Sequence, residues 1–91
     1  MSNEITAKTV TVDMGAIKFI TNGADIMSPG VLSAEKEIRP GDIVVVVDSN
    51  HKKPLAIGVS LITGMEMIKN TAGKAVETKH YVGDDIWNFE I

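Results

Sequence analysis

Lys18, the small residues Gly23 and Ala24, and a Ser28-Pro29-Gly30 corner lie close together in this chain. Glycine has no Cβ and lets a ligand's backbone approach closely, while main-chain amides held in a fixed turn attract anions. With the Lys18 ammonium beside them, the residues from Asn22 to Gly30 make a surface suited to a phosphate backbone. The same residues also read as a helix C-cap followed by a turn, and local sequence alone favours that account. Met27, by its type, reads as core.

A second set of candidates is basic: Lys74, Lys79 and His80 near the end of the chain, and His51, Lys52 and Lys53 between two apolar segments. A solvated face accounts for each equally well. On a strand, alternation puts Lys79 and His80 on opposite sides, so they can face one ligand only if a bulge intervenes. Lys79 and Tyr81 share a side and offer a charge beside a stacking ring, which single-stranded RNA can use.

Other chemistries find little support. His51 and His80 have no cysteine or second histidine at ligand spacing, so no metal is expected. No Walker loop, G-x-S-x-G or G-x-G-x-x-G occurs, so neither nucleotide hydrolysis nor a dinucleotide cofactor is expected. Asp84 and Asp85 are adjacent, which turns their side chains apart and spoils a general acid and base pair; they read as a turn or cap.

The elements that must position these residues follow from periodicity. Thr9 to Asp13 alternates as a strand with Val10 and Val12 inward and the threonines outward. Asp13 then caps a helix over Met14 to Asn22, with Ala16, Ile17 and Ile20 on its apolar face and Gly23 as a left-handed C-cap. A strand begins near Val31, and Arg39-Pro40-Gly41-Asp42 is a turn. Ile43 to Val47 is a β-branched run without alternation, as in a strand covered on both faces. It pairs antiparallel with Leu55 to Ile62, where Gly58 marks a bulge or close contact. Thr63-Gly64-Met65-Glu66 has capping-box spacing for a short helix over Gly64 to Asn70. Lys74 to Tyr81 is the last strand, and the tail, with Trp87 and Phe89, is expected to pack back onto the core.

Composition sets the limits. At 91 residues with 44% apolar content, the chain is one globular domain. Its longest apolar run, Ile43 to Val47, is far short of the ~20 residues of a membrane-spanning helix. The first residues, MSNEITAKTV, do not resemble a secretory signal, so a cytoplasmic location is expected. The absence of cysteine excludes a disulfide framework and thiolate ligands. A net charge of −3 argues against strong non-specific nucleic-acid binding, so any RNA contact has to be local.

The ordered motifs carry more than any one of them. VD-x-GAIKF, then GADIMSPG, GD before a valine-rich strand, PLAIGV and GKAVETKHYVGDDIW together resemble the PUA domain, named for pseudouridine synthases and archaeosine transglycosylases. The match runs from about Val10 to Trp87. It is most similar to the translation-associated branch that includes the malignant T-cell amplified sequence protein and its archaeal counterparts. The resemblance implies a mainly β, mixed-strand pseudo-barrel with two short helices. It also implies RNA binding through the first helix, the glycine turn and the last strand: Lys18, Asn22, Gly23, Ala24, Met27, Pro29 and Gly30, with Lys79 and His80 from the far strand.

On this reading residues 9–91 form the domain and residues 1–8 an N-terminal extension, whereas members of that branch carry a further N-terminal domain. The expected function is a non-enzymatic module for structured RNA, tRNA or rRNA, in translation or RNA modification. The alternative is a protein-interaction domain docking on a ribosomal or RNA-modification partner, which the acidic balance favours.

Overall fold

A computed structural model describes residues 8–81. Among them are six strands in one sheet: β1 (Lys8–Val12), β2 (Ile26–Met27), β3 (Val31–Ala34), β4 (Ile43–Asp48), β5 (Pro54–Ser60) and β6 (Lys74–Tyr81). Two short helices, α1 (Ile17–Ile20) and α2 (Gly64–Lys69), and two 3-10 turns, Met14–Ala16 and Ser28–Gly30, complete it. The strand order is β2-β6-β5-β4-β1-β3, parallel only between β1 and β4, and the sheet curls into a nearly closed mixed pseudo-barrel. The expected tail packing of Trp87 and Phe89, and the turn at Asp84 and Asp85, lie outside the described residues.

The core explains the order. Val10, Val12, Val44, Val46, Ala56, Ala75 and Val76 are fully buried, and Ile20, Ile26, Ile38 and Met67 close the barrel around them. Wherever a β-branched residue points inward it removes apolar area from water at about 25 cal/mol per Å², which fixes the register of each strand. Val44, Val46 and Val47 of β4 are buried and Val45 is half-buried, as a covered strand requires, although Ile43 at its start is exposed. Thr11 departs from the expected outward exposure, being 6% exposed, in a strand paired on both edges, with β3 on one side and β4 on the other.

Local chemistry sets the ends of the elements. Asp13 accepts the Gly15 N–H at 2.9 Å, so the cap read from the sequence is present. The chain after it winds first as the 3-10 turn and then as one α-helical turn, shorter than the single helix expected over Met14 to Asn22. The poor helix propensity of Gly15, Ile17, Phe19 and Thr21 is the physical reason. Around α2 the capping box is complete: Thr63 Oγ1 accepts the Glu66 N–H at 3.1 Å, and Glu66 Oε1 accepts the Thr63 N–H at 2.9 Å. At Gly58 the pairing of β5 with β6 slips register, and the Glu77 carbonyl lies where a Cβ would stand.

Candidate nucleic-acid interface

The segment from Lys18 to Gly30 leaves α1 through a glycine cap. The Gly23 N–H donates to the Ile20 carbonyl at 2.9 Å and the Ala24 N–H to the Phe19 carbonyl at 3.0 Å, with Gly23 at φ +92°. This is the Schellman arrangement, in which a left-handed glycine ties off the last helical carbonyls. The Asn22 N–H joins them, donating to Phe19, and the Asn22 side-chain amide donates to the Lys18 carbonyl at 3.0 Å. The expectation of free main-chain amides in the glycine turn is therefore corrected: at Asn22, Gly23 and Ala24 the donors close the helix. What the turn leaves open is close approach to Gly23 and Ala24.

The corner is fastened to the last strand. Asp25 Oδ1 accepts the Thr78 N–H at 2.9 Å, and the Thr78 hydroxyl donates to the Ala24 carbonyl at 2.9 Å. Lys74 Nζ lies 3.1 Å from Asp25 Oδ2. The Thr78 amide first, and then Lys74, hold the Asp25 carboxyl below its usual range against partial burial. Beyond Asp25, β2 pairs Ile26 with Val76 and Met27 with Lys74. This two-residue strand is too short for any periodicity to show and was not expected from the sequence.

The corner and β6 thus form one continuous surface, which brings Gly23, Ala24 and Met27 beside the strand that carries Lys79 and His80. Lys79 is the extra residue of a bulge, because Thr78 opposes Gly58 and His80 opposes Ile57. The bulge breaks the alternation that would have set Lys79 and His80 on opposite sides. Lys79 also lies 3.5 Å from Glu77, so its charge is partly offset.

On the other flank, Lys18, Phe19 and Met27 are exposed, whereas Met27 by residue type had read as core. The Lys18 ammonium sits 5.4 Å from the Phe19 ring centroid, within cation–π range. A shallow groove of about 320 Å³, counted out to its open face, runs between Phe19 and Met27, lined also by Ala16, Ile20, Asp25, Ile26 and Gly30. Pro29 is exposed on the 3-10 turn bordering it. Phe19 and Asp25 were not singled out from the sequence. Phe19 could have been found, since it is a large aromatic out of phase with the apolar stripe of Ala16, Ile17 and Ile20. Chemically the surface offers a stacking ring, a cation at Lys18 that pairs with no carboxylate among the described residues, and close approach at Gly23. No cluster of three metal-ligating side chains occurs among the described residues, and no helix there is long and apolar enough to cross a membrane.

Comparison with known proteins accords with this geometry. The family model described as PUA domain matches residues 8–82. An uncharacterised protein of Methanocaldococcus jannaschii is 54% identical over 81 residues, covering 89% of this chain and 50% of that protein. Translation machinery-associated protein 20 of Saccharomyces cerevisiae is 44% identical over 90 residues, covering 91% of this chain and 49% of that protein. Human malignant T-cell-amplified sequence 2 is 35% identical over 82 residues, covering 87% and 45%. The chain spans about half the length of the curated relatives it matches. Among solved structures, a hypothetical protein of Pyrococcus horikoshii aligns with a TM-score of 0.85 at 46% identity, covering 87% of this chain and 47% of that one. A chain of an H/ACA ribonucleoprotein bound to a substrate RNA aligns with a TM-score of 0.79 at 28% identity, covering 82% and 23%.

Proposed function

The chain belongs to the PUA domain family, and we propose that it is a non-enzymatic module binding structured RNA, tRNA or rRNA, in translation or RNA modification. The observation that carries this reading is the junction of the glycine corner with β6, where Asp25 and Ala24 are bonded to Thr78 and Lys18 and Phe19 stand exposed alongside. A glycine without a Cβ admits a sugar–phosphate backbone, a lysine neutralises a phosphate, and an exposed ring stacks on an unpaired base. A similar fold in a ribonucleoprotein bound to RNA supports the substrate class, and the yeast relative's association with translation machinery supports the setting. The contact residues are Lys18, Asn22, Gly23, Ala24, Met27, Pro29 and Gly30, joined by Lys79 and His80.

The test is a fluorescence anisotropy titration of labelled tRNA at low salt. The wild type binds, and Lys18→Glu weakens binding while the melting temperature stays put. Absence of wild-type binding to tRNA and to rRNA fragments would sink the reading.

A second reading, docking on a ribosomal or RNA-modification protein, draws on the charge pattern. Lys74 and Lys79 are each partly neutralised by a neighbouring carboxylate, and the net charge is −3. Partners that co-purify and survive nuclease treatment favour it; loss of all partners on nuclease treatment counts against it.

A further inference from the structure

The cations of this chain are unevenly placed. Of its nine lysines and arginines, Lys8, Lys74 and Lys79 lie within ion-pair distance of carboxylates. Lys36 and Arg39 sit in the connection between β3 and β4, among Glu35, Glu37 and Asp42, and Lys69 closes α2. Lys18, Lys52 and Lys53 remain, and the topology brings them to one end of the barrel. β1 and β4 are parallel with Val12 opposite Asp48, so both chains leave the sheet together, one toward α1 and the other into the hairpin tip. β5 begins at that end with Pro54 opposite Val47, and β6 finishes there with Tyr81 opposite Ala56.

The hairpin tip is built rather than loose. Asp48 is 5% exposed, and its Oδ1 accepts the His51 N–H at 2.6 Å and the Lys52 N–H at 3.1 Å. The Asp48 N–H donates to the Lys53 carbonyl at 3.1 Å and closes the loop. Lys52 is held at φ +57°, a left-handed conformation uncommon for a residue with a Cβ. The outcome is that His51, Lys52 and Lys53 are all exposed at the tip while the one carboxylate of the loop is turned inward. Of the carboxylates nearest these cations, Asp13 caps the 3-10 turn, and Asp25 in the corner is taken up by the Thr78 N–H and Lys74.

We infer that the His51-Lys52-Lys53 hairpin is a second phosphate-contact point, which engages the backbone of the same RNA held at the α1 and β2 corner. This inference rests on the RNA-binding reading above. It also accounts for how an acidic chain holds a polyanion, because Lys18, Lys52 and Lys53 give one end of the barrel positive charge that no described carboxylate pairs with.

Salt dependence tests it, because each neutralised phosphate adds close to one to the slope of log affinity against log salt. The double variant Lys52→Asn, Lys53→Gln removes both charges, and asparagine tolerates the left-handed position. Lys53→Glu, at an ordinary backbone position, is the companion should the double variant melt early. For the double variant, tRNA affinity near 0.1 M salt is expected to fall about tenfold or more and the slope to become shallower by about two. For Lys53→Glu the slope falls by about one. Wild-type affinity and slope in the hairpin variants, with Lys18→Glu still weakened, overturns this inference and leaves the RNA reading standing. Failure of the wild type to bind overturns both.

Discussion

The ring of Tyr81 lies against the α-carbon of Gly23, so that a methyl group built there would stand 3.2 Å from both Cε1 and Cζ. The glycine that ends α1 is also the point where the last strand presses on the corner. Gly23→Ala meets two costs, the positive φ of +92° and the ring. A left-handed alanine costs about 1–2 kcal/mol, and displacing the ring adds to it. Urea denaturation should show a loss of about 2 kcal/mol; a loss below about 0.5 kcal/mol would mean that the cap is not strained by a side chain.

Phe19 is the exposed aromatic of the corner, at 57% exposure, with the Lys18 ammonium over its ring. An exposed ring contributes little to folding, so Phe19→Ala should change stability by less than about 0.5 kcal/mol. If an RNA base stacks there, affinity for an RNA with an unpaired end falls by about 1–3 kcal/mol. Unchanged affinity in an anisotropy titration would remove the ring from the interface.

The elements that announce themselves in the sequence do so through local chemistry. Thr63 and Glu66 form both bonds of the capping box, Asp13 caps as its side chain predicts, and Lys74 to Tyr81 is a strand over its full span. β2 was not legible because Ile26 and Met27 are made a strand by Val76 and Lys74, far away in the chain. The bulge at Lys79 likewise depends on β5, a partner no local pattern names, whereas the Gly23 and Ala24 amides close onto Ile20 and Phe19 as the left-handed C-cap read at Gly23 requires. Met27 and Phe19 are exposed against their residue type, which a periodicity reading that assigns large apolar residues to the core does not show.

Asp25 ties the corner to β6, and acid should loosen that tie. Its carboxyl is held below the ordinary value of 3.8 by the Thr78 amide and, next, by Lys74. As pH falls through about 4, the unfolded chain takes up this proton before the native state does, so the folded state loses stability. The contribution is complete above the unfolded value and is lost as pH falls through the lower folded value. Asp25→Asn should be less stable than wild type at pH 7, and the gap should narrow as pH falls below about 4. Asp42 and Asp48 are depressed too and keep part of the acid sensitivity in the variant. A gap that stays constant across this range in thermal melts would contradict the assignment.

Gly58 separates two kinds of glycine cost. It is buried in β5 at an ordinary backbone angle, and a Cβ there would collide with the Glu77 carbonyl and stand 2.7 Å from Val76 Cγ1. Because the obstacle is the main chain of β6, which cannot turn aside as a side chain can, relief requires the two strands to part. Overpacking of this kind costs about 1–3 kcal/mol, and more where backbone must move. Gly58→Ala is therefore expected to destabilise the domain by about 3 kcal/mol, more than Gly23→Ala. Parting the strands would also disturb the Lys79 bulge, which lies opposite the register slip between Ile57 and Gly58. A stability loss no greater than that of Gly23→Ala would show that β6 yields easily, and that the bulge, with the positions of Lys79 and His80, is not fixed by Gly58.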